Sequence, residues 1–86
     1  MAKKSTKELQ FKVLIETDED GIYVASVPEL PGCYTQAKTL EEVRKRIKEV
    51  IELILDSDKD ARNQKLESPS APQTFFGVEE IQINYA

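Results

Sequence analysis

Residues 23–35 read Tyr-Val-Ala-Ser-Val-Pro-Glu-Leu-Pro-Gly-Cys-Tyr-Thr, and residues 39–42 read Thr-Leu-Glu-Glu. Together the two runs decide the fold. Residues 22–27 are rich in β-branched and aromatic side chains and predict a strand. Leu30-Pro31-Gly32-Cys33 suits a type II turn, because Pro31 fixes φ and Gly32 accepts a positive value. Cys33–Gln36 then predicts a short strand. Thr39 and Glu42 have capping-box spacing, in which each side chain can satisfy a backbone amide at a helix start.

Upstream, Leu9, Phe11, Val13 and Ile15 alternate and predict a strand over 9–17. Leu14 adds an apolar group on the opposite face. Asp18-Glu19-Asp20-Gly21 is a hairpin turn, since Asp-Gly supplies positive φ. Two registers fit. A two-residue loop places Val24 beside Phe11 and Val13; a three-residue loop places Tyr23, Ala25 and Val27 there. Either way the second strand is apolar on both faces, so the sheet needs two covers. The following helix supplies one, and a second subunit is expected to supply the other.

Downstream, Leu40, Val43, Ile47, Val50, Ile51 and Ile54 repeat at helical period. The opposite face offers the pairs Glu41–Lys45, Glu42–Arg46 and Lys48–Glu52, each worth only about 0.2–0.5 kcal/mol. The apolar stripe must therefore anchor the helix, which ends within 56–60. Residues 57–74 are polar and read as a loop, part of which can extend the helix. Val78–Tyr85 alternates again, with Ile81, Ile83 and Tyr85 on one face, and predicts a fourth strand. The fold class is α+β, of order β-β-β-α-β. An antiparallel three-stranded meander is joined by a fourth strand through a right-handed crossover, with one helix on one face. Residues 1–8 form a polar tail and residues 9–86 a single domain.

The chain has 86 residues, 16 acidic and 12 basic side chains, a net charge of −4 and no histidine. Its length holds one domain with a thin core. Without histidine there is no Ser-His, Cys-His or histidine–metal chemistry. The negative balance argues against a general nucleic-acid binder. Lys3, Lys4 and Lys7 in the tail lack the aromatic scaffold of a nucleic-acid site. Cys33 stands alone, so it forms no internal disulfide or thiolate zinc site. With no histidine to activate it, Cys33 reads as a small buried hydrophobe. No apolar run approaches a membrane span or a signal peptide. A cytoplasmic protein without cofactor or catalytic residues is expected.

Residues 13–37 hold five acids, Glu16, Asp18, Glu19, Asp20 and Glu29, and no Lys or Arg. Glu16, Asp18, Asp20 and Gly21 fit the start of a calcium loop. Val27 occupies the position that needs a bidentate glutamate, so the turn reading stands. The same five acids are the candidate residues for attracting a basic partner.

The order Pro28-Glu29-Leu30-Pro31-Gly32-Cys33, followed by Thr39 and Glu42, resembles the HicB-like antitoxin family across about residues 10–55, and the closing strand is consistent with it. The chain departs from the family pattern at Ala37-Lys38, where a Gly-acidic pair is usual, and at Val43, where alanine is usual. The resemblance implies a degenerate, partial RNase H-like domain. Its first strand, apolar save for Lys12 until Glu16, lacks a nuclease's central acids. It also implies a HicA-like partner, a small basic RNA-cleaving toxin of a type II toxin–antitoxin system, neutralised by being covered. After the fourth strand there is no room for the C-terminal DNA-binding module that many members carry, so no direct DNA binding is expected. The alternative is an orphan homodimer or higher homo-oligomer of the same fold, structural or regulatory, without a toxin.

Overall fold

The computed structural model describes residues 8–71, 77 and 79–85. Five elements follow in order: β1 (Leu14–Thr17), β2 (Tyr23–Ser26), β3 (Tyr34–Ala37), α1 (Leu40–Ser57) and α2 (Lys59–Glu67). The strands form an antiparallel sheet of order β1-β2-β3. The α+β class and the meander are as the sequence predicts.

The hairpin adopts the three-residue register. Asp18 donates its amide to the Ile22 carbonyl at 2.9 Å, and Gly21 takes φ +79°. Pairing of Ile15 with Ala25, and of Ala25 with Thr35, then puts Ala25 and Val27 on the helix side. That face is the core: Ala25, Val27, Leu30, Cys33, Ala37, Val43 and Ile47 are all buried. Phe11, Val13, Ile15, Val50, Ile51 and Ile54 pack around them, half-buried.

The β1 ladder begins only at Leu14, later than the strand predicted from residue 9. Beyond Ser26 the chain turns away, so residues 9–13 lose their partner strand. Other acceptors take over: Lys12 donates its amide to Glu29 Oε1 at 3.2 Å, and Gln10 donates to the Pro69 carbonyl at 2.7 Å.

α1 starts as predicted, with Thr39 Oγ1 accepting from the Glu42 amide at 3.1 Å. The Glu42 carboxylate turns instead to Arg46, at 3.6 Å. Of the three charge pairs expected along α1, this is the one formed among the described residues. Arg46 also donates to the Gln36 carbonyl at 3.1 Å, tying α1 to β3.

Two expectations need correction. The single helix with a polar loop over 57–74 is instead two helices. Asp58 breaks α1 in an extended conformation and caps α2, its Oδ1 accepting from the amides of Asp60 and Ala61 at 3.1 Å each. An N-cap with an acidic first turn starts a helix even where no apolar stripe exists. The fourth strand is also absent from the described residues: Glu79–Tyr85 make no ladder, and Ile81, Ile83 and Tyr85 are exposed. A strand needs a neighbour for its amides, and alternation alone does not supply one. Of the polar tail predicted over 1–8, only Glu8 is described, and it is exposed; Val78 also lies outside the described residues. Among the described residues no helix is long and apolar enough to cross a membrane.

Candidate functional site

Three features stand out on this scaffold: the hairpin tip, the turn between β2 and β3, and a groove beside β1.

At the tip, Glu16, Asp18, Glu19 and Asp20 are exposed. Asp18 has a local task, its Oδ1 accepting from the amides of Asp20 and Ile22 at 2.9 Å each. Such an Asx-type bond fixes the turn. Among the described residues none of the four acids has an ion-pair partner. Their charge faces solvent, where it can act on a partner over about a Debye length, roughly 8–10 Å.

The β2–β3 turn is two turns in succession. Leu30 donates its amide to Val27, Cys33 to Leu30 and Val27 to Cys33, each at 3.0 Å. Gly32 takes φ +81°, the value required after Pro31 in a type II turn. Leu30 and Cys33 point into the core, and burial pushes the Cys33 thiol pKa up. Burial and the raised pKa both disfavour the thiolate, so Cys33 is a packing residue rather than a nucleophile.

Glu29 stands apart from the other acids. Its Oε2 lies 2.9 Å from Lys65 Nζ, and its Oε1 accepts from the Lys12 amide. Lys65 is buried, sits 4.3 Å from the centroid of the Phe11 ring and donates to the Ser70 carbonyl at 3.3 Å. Thus Glu29 joins the turn, the lead-in to β1 and α2. Sequence reasoning missed Lys65 altogether. The signal that could have found it is Asp58 ahead of Lys59-Asp60-Ala61, a helix start that puts Ala61 and Lys65 on one face.

The groove holds about 560 Å³ between the lead-in and start of β1 and the exposed flank of α1. Leu9, Phe11, Val13 and Ile15 line one wall; Ile47, Ile51 and Leu55 line the other, with Arg44, Lys48 and Glu52 at the rim. It exists because α1 lies over β2 and β3 and leaves β1 uncovered. Among the described residues no three acidic or thiol side chains converge in a way that could hold a metal ion. The arrangement offers charge and apolar surface for binding.

A family model of the HicB-like antitoxins of bacterial toxin–antitoxin systems matches residues 11–81. That range spans the sheet, the double turn and both helices. The chain is 43% identical over 75 residues to a UPF0150 protein of Archaeoglobus fulgidus, covering 87% of this chain and 96% of the relative. It is 43% identical over 74 residues to a UPF0150 protein of Synechocystis sp., covering 86% and 94%. A UPF0150 protein of Thermotoga maritima is 39% identical over 74 residues, covering 85% and 88%. No solved structure is significantly similar to the chain.

Proposed function

The chain belongs to the HicB-like antitoxin family, and we propose that it acts in the cytoplasm as a non-enzymatic binding module that sequesters a small basic RNA-cleaving toxin of the HicA-like kind. The observation that carries this reading is the exposed acidic tip, Glu16, Asp18, Glu19 and Asp20, in a stretch from 13 to 37 without a single base. A cationic RNA-binding protein is steered toward such a field, and its own RNA-binding surface is the part drawn in. Glu29, held inside the fold by Lys65, supports the turn that presents the sheet rather than adding to that field.

The test is co-purification from the native host followed by titration with the captured protein. A small basic protein that binds, loses its RNA cleavage on binding and associates more slowly as salt rises is the expected result. Capture of no small basic protein at any salt concentration overturns the reading. The alternative, a homo-oligomer without a toxin, is supported by the uncovered groove beside β1.

A further inference from the structure

α1 covers one face of the sheet and leaves the other bare. Ala25 in β2 and Ala37 in β3 point to the helix and are buried. Side chains alternate along a strand, so their neighbours point the other way. The register sets those neighbours in two rows: Leu14, Ser26 and Tyr34, then Glu16, Val24 and Gln36. Leu14, Ser26 and Val24 are half-buried, and Tyr34 is 68% exposed. Among the described residues α1 is the one helix that packs on the sheet, and α2 packs on α1. The bare face therefore carries an apolar strip, Leu14, Val24 and Tyr34, that crosses from β1 to β3.

The charge beside this strip is acidic. Glu16 stands in the second row next to Val24, and the hairpin tip prolongs that end of the sheet with Asp18, Glu19 and Asp20, all exposed. Cations keep to the margins: Lys12 comes two residues before Leu14, and Lys38 two residues after Gln36. Arg46 is engaged at the β3 edge by Glu42 and the Gln36 carbonyl. Tyr34 and Glu16 stand two strands and two residues apart, about 12 Å in a pleated sheet. A guanidinium stacks on an exposed tyrosine ring and pairs with carboxylates, so an arginine-bearing surface matches the patch at both ends. A second copy of this chain does not. It would bring the same four acids to the same patch, like charge against like charge across a two-fold contact.

We propose that the basic toxin docks on this bare face of the sheet, with Tyr34 as its main anchor and Leu14 and Val24 as the apolar floor, while Glu16 and the tip acids steer it in. This placement depends on the toxin-binding reading, whereas that reading does not depend on the placement. The residues divide the work. Exposed acids at the rim govern association, and the aromatic ring, which loses its water in the complex, governs dissociation.

The test uses the full chain and the basic ribonuclease obtained by co-purification, identified by the loss of its RNA cleavage on binding. Surface plasmon resonance reads the two rates. Tyr34→Ala should speed dissociation at least about tenfold and leave association within about twofold. Tyr34→Phe keeps the ring and should restore slow dissociation. Leu53→Asp alters the exposed flank of α1, on the other side of the sheet, and should leave both rates unchanged. Nitration with tetranitromethane checks the wild type directly. Tyr34 and Tyr85 are both exposed and should react in the free chain, and complex formation should slow the reaction at Tyr34. Unchanged dissociation of a folded Tyr34→Ala variant, or a Tyr34 that nitrates equally fast in the complex, overturns the proposal and leaves the toxin-binding reading standing. A wild-type dimer that Tyr34→Ala converts to monomer overturns it too, because the face then belongs to a second copy. Absence of any basic ribonuclease that binds removes the toxin-binding reading, and the docking face falls with it.

Discussion

Lys65 and Glu29 stand 36 residues apart in the chain, yet their charged atoms meet at 2.9 Å. The lysine is 6% exposed and the glutamate side chain 22%. A pair this enclosed is costly to break from one side, because the remaining charge is left with poor solvation.

Lys65→Ala should therefore lower stability by about 2–3 kcal/mol, below the full cost of a deeply buried pair because Glu29 keeps some water. Lys65→Met combined with Glu29→Gln should recover part of that loss. Urea denaturation of the single and double variants measures it. Strict additivity would mean that the two side chains are uncoupled.

Ile47 is 4% exposed and Leu53 on the same helix is 66% exposed. Ile47→Asp should unfold the domain, since it forces a carboxylate into a thin core. Leu53→Asp should change stability by no more than about 0.5 kcal/mol in the monomer. Circular dichroism melts separate the two cases, and similar effects at both sites would reverse the orientation of α1.

Gly32 has φ +81° and open space where a Cβ would sit. Gly32→Ala should therefore cost backbone strain alone, about 1–2 kcal/mol. A thermal melt without loss would show that the turn relaxes to another type.

Cys33 is buried, and desolvation raises its thiol pKa above that of an ordinary cysteine. The folded state then holds the proton more tightly than the unfolded chain. Its contribution to stability is complete below about pH 9 and is lost as pH rises through the folded pKa. Denaturation midpoints between neutral and strongly alkaline pH should show that decline, and Cys33→Ala should flatten it. Thiol labelling at neutral pH should proceed only as fast as the domain opens.

Glu16→Gln, Glu19→Gln and Asp20→Asn together remove tip charges while leaving the Asp18 turn bonds in place. Association with a basic toxin should slow by about tenfold at low salt, with dissociation little changed. Stopped-flow mixing at several salt concentrations reads this. An unaltered on-rate would leave the tip as only a turn.

Much of the fold was legible because its signals are local. The Pro31-Gly32 turn, the Asp20-Gly21 turn and the Thr39 cap each reside in four consecutive residues, and the α1 stripe has a clear period. The hairpin register was not, since both loop lengths placed apolar groups on both faces of β2. α2 was hidden because it has no apolar stripe and is held by Lys65 and Ala61 against distant residues. Alternation over Ile81–Tyr85 states that the segment suits a sheet, but not that a neighbouring strand is there to pair with it. Among the acids, Glu29 reads like its neighbours in sequence. Only its position opposite Lys65 distinguishes an internal anchor from a charge that faces solvent.

Asp58 closes one helix and opens the next: its amide bonds to Ile54 at 2.8 Å while its carboxylate holds the first amides of α2. One side-chain oxygen thus holds the start of α2 at the point where α1 ends. Replacing it with alanine favours continuous helix from Leu40 onward. In such a rod α2 would be carried off with Lys65, leaving Glu29 and the Phe11 ring without their cap. The cap over Glu29 and Phe11 thus depends on a joint between the two helices that makes no part of the sheet.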